Sequence, residues 1–324
     1  MEVAPKIPVI EFSSEDVENG RSSSSEQGRE RWEVLCSKVR EACESHGCFL
    51  LTYDKIPTSL REDMLVGIKA LFDLPEETKS KYQHPKPYRS YQGKCPVVPL
   101  HESFGIDDAT TFQAAQDFTR LMWPQGNPAF WLTDQYCFLF NDYDSEILNT
   151  MSSKMLELSF TILGMIFESF GIEAKRHEAL VRDSRSILRV MKYRVPATED
   201  QNLGLVAHTD KNALTVLCQN EVQGLEIVSK EGHWEELVVP KDAFVVFVGD
   251  ALKAIKHRVV MKGDKERYSF GLFTLPKEGA MVEAARELVD GEHPLLYRPF
   301  KFADYFSYFL SNLSDDALDV YAGV

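Results

Sequence analysis

The sequence lacks several features that would indicate a membrane or secreted protein. No uncharged apolar run approaches the roughly 18 residues needed to span a bilayer, and the first residues, Met1 to Val9, lack the basic and apolar regions of a signal peptide. The six cysteines include no Cys-x-x-Cys pair and lack the spacing of a zinc site. Scattered cysteines in a chain of 324 residues indicate reduced, mostly buried thiols, so we expect a cytoplasmic protein.

Positive charge is also scarce. The chain has 36 Lys and Arg against 50 Asp and Glu, which gives a formal net charge of −14. Nucleic acid and anionic membranes would be repelled by this excess, so neither is expected as a partner. With 44% hydrophobic and 27% charged residues, the composition is that of a globular protein able to bury a sizeable core.

The first half of the chain has helical periodicity. Apolar residues recur every three or four positions in segments that we predict as helices, at 29–46, 60–72, a short one from Pro75, and 144–170. Short strands are expected at 7–12 and 48–53, and residues 13–27 are expected to form a polar, serine-rich loop. Residues 84–109 lack periodicity and are either a functional segment or a packed surface connector.

From Ser186 the hydrophobic period changes to two, which is typical of β-strands. Short apolar runs follow one another with turn residues between them, at 187–193, 203–207, 213–217, 225–228, 234–237, 243–248, 257–260 and 269–275. This spacing indicates a sandwich or barrel. No linker separates the halves, so we expect one compact unit over 1–324, with a helical region at 1–180, a β-core at 181–280, and a docking segment and helix at 281–324.

One stretch, Leu205 to Lys211, places a histidine and a carboxylate two residues apart. Residues i and i+2 of a strand face the same side, so His208 and Asp210 would converge on one metal ion. A third ligand should come from another strand, and His257 is the candidate. Two histidines and one carboxylate form the ligand set of non-haem Fe(II) oxygenases, although zinc accepts the same set.

A second polar pair, Arg267 and Ser269, follows shortly after His257. A guanidinium offers two donors in a fork that fits a carboxylate, and a hydroxyl two residues later faces the same side. A dicarboxylate cosubstrate held there would reach the metal with its other end. This pair therefore shifts the balance from zinc towards iron.

Together these motifs resemble the plant 2-oxoglutarate/Fe(II)-dependent dioxygenases along nearly the whole chain. The landmarks that carry the resemblance are Ile7-Pro8-Val9-Ile10, Leu71-Phe72-Asp73-Leu74-Pro75 with Lys79, Leu203-Gly204-Leu205, His208-Thr209-Asp210, Gly249-Asp250, His257-Arg258-Val259 and Arg267-Tyr268-Ser269. Finer features, Met191-Lys192-Tyr193 and Phe104-Gly105-Ile106-Asp107 among them, are most similar to the subgroup that includes the glucosinolate side-chain (AOP-like) dioxygenases.

The resemblance implies a double-stranded β-helix (jelly-roll) core with an α-rich N-terminal half. It implies His208, Asp210 and His257 as Fe(II) ligands, and Arg267 and Ser269 as the clamp for the distal carboxylate of 2-oxoglutarate. Tyr193 is implied to contact the same cosubstrate, with a plain core tyrosine as the alternative. Phe273 is implied to face the substrate, with core packing as the alternative. O2 is the other cosubstrate, and ascorbate is a candidate additional cofactor.

The sequence departs from the family pattern before His257. Only Ala251 to Lys256 separate Asp250 from this histidine, about half of the usual connection. If only a turn is trimmed, His257 still reaches the metal. If a strand end is lost, one residue of slip would turn the side chain to the other face.

Three functional hypotheses follow. The first is a 2-oxoglutarate-dependent dioxygenase of plant specialised or hormone metabolism, which acts as a monomer on a small organic molecule and hydroxylates, desaturates or dealkylates it with release of succinate and CO2. The second is a non-catalytic or impaired relative, motivated by the short segment before His257. The third is an oxidase of the same fold that does not use 2-oxoglutarate, since Arg-x-Ser can bind other carboxylates.

Overall fold

The computed structural model describes residues 7–22, 25–86, 88–124, 147–198, 201–249 and 254–324. Cys137, the predicted helix start at 144–146, and residues 250–253 of the short segment before His257 lie outside these ranges. Among the described residues, no helix is both long enough and apolar enough to cross a membrane.

The N-terminal half is predominantly helical, as predicted. Its elements are β1 (Val9–Phe12), α1 (Ser14–Ser22), α2 (Glu26–His46), β2 (Cys48–Tyr53), α3 (Thr58–Phe72), α4 (Glu76–Lys79), β3 (Tyr91–Gln92), β4 (His101–Asp107), α5 (Phe112–Met122), α6 (Ile147–Ser169) and α7 (Ala174–Arg182). Gly47 ends α2 with a φ of 68°, a left-handed conformation that glycine adopts without steric cost.

The loop predicted at 13–27 is wrong over most of its length, because residues 14–22 form α1. A reciprocal pair of hydrogen bonds starts this helix. The backbone N–H of Asp16 donates to Ser13 Oγ (3.1 Å), and the backbone N–H of Ser13 donates to Asp16 Oδ2 (2.8 Å). The two side chains of this capping box accept hydrogen bonds from otherwise free backbone amides, so a polar, serine-rich segment begins a helix here.

The second half is built from strands. They are β5 (Ser184–Tyr193), β6 (Leu203–His208), β7 (Leu214–Gln219), β8 (Leu225–Val228), β9 (Trp234–Glu236), β10 (Phe244–Val248), β11 (His257–Val260), β12 (Arg267–Pro276), β13 (Met281–Val282) and β14 (Phe300–Lys301), followed by α8 (Phe302–Asn312) and α9 (Ala317–Ala322). Each of the eight predicted runs is a strand, and the bounds of β8 and β11 are those predicted.

Two sheets pack against each other. The larger has the strand order β1-β2-β10-β7-β12-β5-β4-β3, and the smaller has the order β6-β11-β8-β9. All pairs in both sheets are antiparallel except β1 with β2. Apolar residues from both sheets form one buried cluster between them, which includes Leu217 and Val245 from the larger sheet and Ile227 and Val259 from the smaller. The predicted β-core with flanking helices is confirmed.

The two faces of the larger sheet have different roles. Its outer face packs against α2, α3 and α6, and the hydroxyls of Ser159 on α6 and Thr274 on β12 lie 2.7 Å apart in this buried layer. Its inner face carries the polar side chains. Because opposed residues of neighbouring strands share a face, the register defines rows across β12, β5 and β4: Arg267 with Tyr193 and His101, Ser269 with Met191 and Ser103, Gly271 with Arg189 and Gly105, and Phe273 with Ile187 and Asp107.

Candidate active site

The structure brings the three predicted metal ligands together between the sheets. Strand β6 ends at His208, β11 begins at His257, and these two residues are directly paired. Asp210 follows β6 by two residues, with its Oδ1 3.7 Å from His208 Nε2 and 3.9 Å from His257 Nε2. One donor atom from each residue lies within 4.8 Å of the others. Two imidazoles and a carboxylate this close fit a single divalent ion, with positions left for other ligands.

Hydrogen bonds orient all three side chains. His208 Nδ1 lies 2.9 Å from the carbonyl oxygen of Val206, and His257 Nδ1 lies 3.1 Å from that of Ile255. A carbonyl only accepts, so each Nδ1 carries the proton and each Nε2 keeps its lone pair for a metal. Thr215 Oγ1 donates to Asp210 Oδ2 (2.5 Å), which leaves Oδ1 directed at the imidazoles.

The environment keeps His208 neutral. Burial and, to a smaller extent, the neighbouring His257 lower the pKa of its ring to about 4, although Asp210 acts in the opposite direction. His257 is 7% exposed and stacks on Phe247, with ring centroids 4.4 Å apart. In this structure the imidazole of His257 therefore lies together with His208 and Asp210.

Arg267 is a buried cation without a carboxylate partner among the described residues. Its side chain is 1% exposed. Its Nη2 donates to Gln219 Oε1 (2.8 Å), its Nη1 donates to Ser269 Oγ (3.3 Å), and its Nε has no partner. Tyr193 lies beside it, with the guanidinium carbon 5.0 Å from the ring centroid. A buried guanidinium that only neutral groups contact is suited to bind an anion, because its desolvation is otherwise uncompensated.

Phe273 lies on the inner face of β12, where it is opposite Thr215 of β7. Since Thr215 donates to Asp210, the register places Phe273 near the candidate metal ligands, and its side chain is only partly buried. All seven site residues predicted from the sequence thus lie on the facing sides of the two sheets or, in the case of Asp210, just after β6.

Sequence reasoning missed several residues of this space. His101 falls in the segment 84–109 that lacks clear periodicity, but it lies on β4, next to Tyr193 on the inner face. It is 5% exposed, and its Nε2 has no hydrogen-bond partner among the described residues. Arg189, Thr215 and Gln219 were not singled out either. The sequence does contain a strand signal around His101, because polar or small residues at 101, 103, 105 and 107 alternate with Phe104 and Ile106.

His101 should make stability depend on pH. Burial lowers its pKa from 6.5 to about 3, so the unfolded chain takes up a proton that the folded chain does not. The resulting destabilisation is absent above about pH 6.5 and grows as the pH falls, at about 1.4 kcal/mol per pH unit. In urea unfolding of metal-free protein, His101→Gln should reduce this slope by about that amount. His293→Gln, at an exposed site, is the control. Equal slopes in His101→Gln and the wild type would contradict the prediction.

Family models match two parts of the chain. Residues 7–126 match the N-terminal region described as non-haem dioxygenase in morphine synthesis, and residues 184–276 match the 2OG-Fe(II) oxygenase superfamily. The second match contains His208, Asp210, His257, Arg267 and Ser269, and therefore the whole predicted metal site and anion clamp.

Similarity to individual proteins extends over nearly the whole chain. The chain is 35% identical to the probable 2-oxoglutarate-dependent dioxygenase AOP1.2 of Arabidopsis thaliana, over 99% of this chain and 97% of that protein. Among solved structures, the rice dioxygenase for auxin oxidation is 28% identical with a TM-score of 0.77, and 98% of this chain and 100% of that one are covered. The Arabidopsis auxin-oxidation dioxygenase, solved as a 2-oxoglutarate complex, is 24% identical with a TM-score of 0.73, over 89% and 100%, and supports the fold.

Proposed function

Since the chain belongs to the 2-oxoglutarate- and Fe(II)-dependent oxygenase family, we propose that His208, Asp210 and His257 hold its Fe(II). We propose also that Arg267 and Ser269 bind the distal carboxylate of 2-oxoglutarate. The enzyme is an oxidoreductase that oxidises a small organic metabolite. The observation that supports these assignments best is the convergence of three oriented donors beside a buried guanidinium that has no carboxylate partner.

When bound, Fe(II) and 2-oxoglutarate would supply the oxidising chemistry, with O2 as the oxidant and succinate and CO2 as the products of the keto acid. The protein's contribution is binding, orientation and exclusion of water. Thr215 fixes which oxygen of Asp210 faces the imidazoles, and the carbonyls of Val206 and Ile255 fix the tautomers of both histidines. Gln219 and Ser269 hold the guanidinium of Arg267 in place before an anion arrives.

Tyr193 and Phe273 complete the proposed site. The ring of Tyr193 packs against Arg267 and shields the proposed carboxylate site from solvent, so it would contact the cosubstrate. Phe273 lies across from Thr215 and is partly exposed to the space between the sheets, which suits a side chain that faces the substrate.

The rice relative is named as a dioxygenase for auxin oxidation, and the AOP relatives are proteins of the plant Arabidopsis thaliana. Both support a role in plant specialised or hormone metabolism. We propose a monomeric, cytoplasmic enzyme without nucleic-acid or membrane partners. We propose further that residues 1–324 form one unit, since the larger sheet combines β1 to β4 with β5, β7, β10 and β12.

Binding of 2-oxoglutarate provides the direct test. Anaerobic addition of Fe(II) and then 2-oxoglutarate should produce the visible charge-transfer absorption of the chelate. Arg267→Ala should raise the Kd of 2-oxoglutarate by about 100-fold or more, because it removes charge-assisted hydrogen bonds worth about 1.5–3 kcal/mol each. Arg267→Lys should have a Kd between those of the wild type and Arg267→Ala, because lysine keeps the positive charge but lacks the two-pronged donor geometry of the guanidinium.

The control is Arg182→Ala, which removes an exposed arginine that pairs with Asp183. It should bind 2-oxoglutarate like the wild type. An unchanged Kd in Arg267→Ala would place the clamp elsewhere. Absence of the absorption band in the wild type would contradict the proposed use of 2-oxoglutarate and favour the impaired relative or the oxidase that uses another cosubstrate.

A further inference from the structure

A second, half-buried cation faces the candidate active site. Arg189 lies on the inner face of β5, four residues before Tyr193 and in the row between Ser269 and Phe273. Its Nη2 donates to Ser103 Oγ (3.1 Å) and Gln92 Oε1 (3.4 Å), and its Nε has no partner among the described residues. Every group that contacts this guanidinium by hydrogen bonding is therefore neutral.

Neighbouring arginines differ in this respect. Arg185 lies on the same strand face and forms an ion pair with Asp107, as does Arg89. Arg189 forms no ion pair with any described carboxylate. Burial lowers the pKa of Arg189, and the charge on Asp210 offsets this only in part. Asp210 is itself the carboxylate proposed to hold the metal, so its negative charge already compensates the metal ion rather than Arg189.

The charges of the loaded site leave Arg189 uncompensated. Fe(II) brings two positive charges, and Arg267 and Arg189 bring one each. Asp210 and the two carboxylates of 2-oxoglutarate bring three negative charges, so one positive charge remains. His101 adds none, since burial lowers its pKa to about 3 and its ring is neutral near pH 7. A half-buried cation that has no counter-charge favours the binding of a further anion beside it.

Glycines flank Arg189 on its own sheet, and one of them lets the backbone of Tyr88 pack directly against the strand. The neighbours of Arg189 in the row are Gly271 and Gly105, which present no side chains. Gly105 is required, because the carbonyl oxygen of Tyr88 lies 1.7 Å from where a Cβ would stand. Tyr88 itself has a φ of 62°, a conformation that costs a non-glycine residue energy and that often marks a functional site.

Aromatic rings lie beside Arg189. The guanidinium carbon of Arg189 lies 5.4 Å from the ring centroid of Tyr88, and the Tyr88 ring contacts Phe306 of α8, with centroids 6.3 Å apart. His101, two rows away, contributes an unpaired Nε2. An anion-binding group next to partly buried aromatic rings fits a molecule with one acidic end and an apolar body.

We propose that the substrate is a small organic acid, whose carboxylate pairs with Arg189 and whose apolar part lies against Tyr88 and Phe306. This inference rests on the proposed function, since it assumes that Asp210 and Arg267 are occupied by metal and 2-oxoglutarate. Recognition by charge would hold one end of the substrate and leave its apolar carbons directed at the metal.

Ligand binding without turnover tests the proposal. The holoenzyme with Fe(II) and 2-oxoglutarate is dialysed anaerobically against a pool of short aliphatic and arylalkyl carboxylic acids, together with the primary amide of each acid. Retained ligands are quantified by mass spectrometry. We expect acids to be retained at least about tenfold more strongly than their amides, and Arg189→Gln to weaken retention of the acids by about 10- to 100-fold. Arg189→Lys should keep part of the binding.

Two further measurements distinguish a binding role of Arg189 from a general effect of charge and from a structural role. Arg185→Gln removes a positive charge from the same strand face, but from an arginine that is already paired with Asp107. This variant should retain acids like the wild type. Arg189→Gln should unfold at an unchanged or higher temperature, because it removes a half-buried charge that has no carboxylate partner among the described residues. A clear loss of folding in that variant would assign Arg189 a structural role and overturn the proposal.

The absorption band of the Fe(II)–2-oxoglutarate complex distinguishes the two levels of failure. Without the band in the wild type, the proposed function itself fails. With the band present, equal retention of acids and amides, retention of neither, or undiminished retention of acids by Arg189→Gln would overturn only the assignment of Arg189 and the acidic substrate.

Discussion

Asp210→Ala should bind no iron at stoichiometric concentrations and should show no measurable turnover. The substitution removes the one charged donor of the metal site, and the two remaining imidazoles are neutral. Metal content after anaerobic reconstitution and desalting, together with Fe(II) titration, measures the effect. Circular dichroism should show an intact fold, because Asp210 follows β6 and belongs to no strand.

Thr215→Val gives the matched comparison. It preserves the shape of the side chain and removes only the hydroxyl that donates to Asp210 Oδ2. A residue that positions a ligand typically affects metal affinity by about 10- to 100-fold, so this variant should bind iron weakly rather than not at all. If Asp210→Ala retained iron as tightly as Thr215→Val does, the assignment of Asp210 as a ligand would be wrong.

Glu102→Ala should destabilise the protein by about 3–5 kcal/mol, since removal of one partner leaves a buried charge uncompensated. Glu102 is 2% exposed, and its Oε2 lies 2.7 Å from Lys79 Nζ, which is also buried. Arg194 pairs with its other oxygen, and Tyr91 donates to Oε2 (3.1 Å). Urea unfolding of the metal-free protein should show a large shift of the midpoint.

Glu33→Gln is the control, because it breaks an exposed pair with Arg29 on the surface of α2. Exposed pairs contribute about 0–1 kcal/mol, so this change should be nearly neutral. Similar unfolding midpoints for Glu102→Ala and Glu33→Gln would show that the buried network contributes little. Lys79 is one of the family landmarks in the sequence, and Glu102 supplies a structural reason for that lysine.

Much of the fold could be predicted from local pattern. The period of two after Ser186 located the strands, and the spacing of His208 and Asp210 placed two candidate ligands on one side of a strand end. The family, the β-core and the cofactors are confirmed by the comparisons. The roles of individual site residues stay predictions.

What could not be predicted depends on pairing between distant strands. Arg189 and His101 are ordinary residues in their own segments. They face the candidate active site only because β5 pairs with β12 on one side and β4 on the other, in one particular register. The helices α1, α5 and α7 were missed for a different reason: each is short, and the polar sequence of α1 predicts a loop unless the hydrogen bonds of its first turn are known.

The order of strands in the larger sheet has a consequence for synthesis of the chain on the ribosome. Strand β2 is made early, yet one of its edges pairs with β10, at residues 244–248, far later in the chain. Until then that edge offers unpaired amides and carbonyls, and the fully buried Phe49 and Leu51 lack part of their packing. We therefore expect the nascent chain to need chaperone protection until β10 emerges.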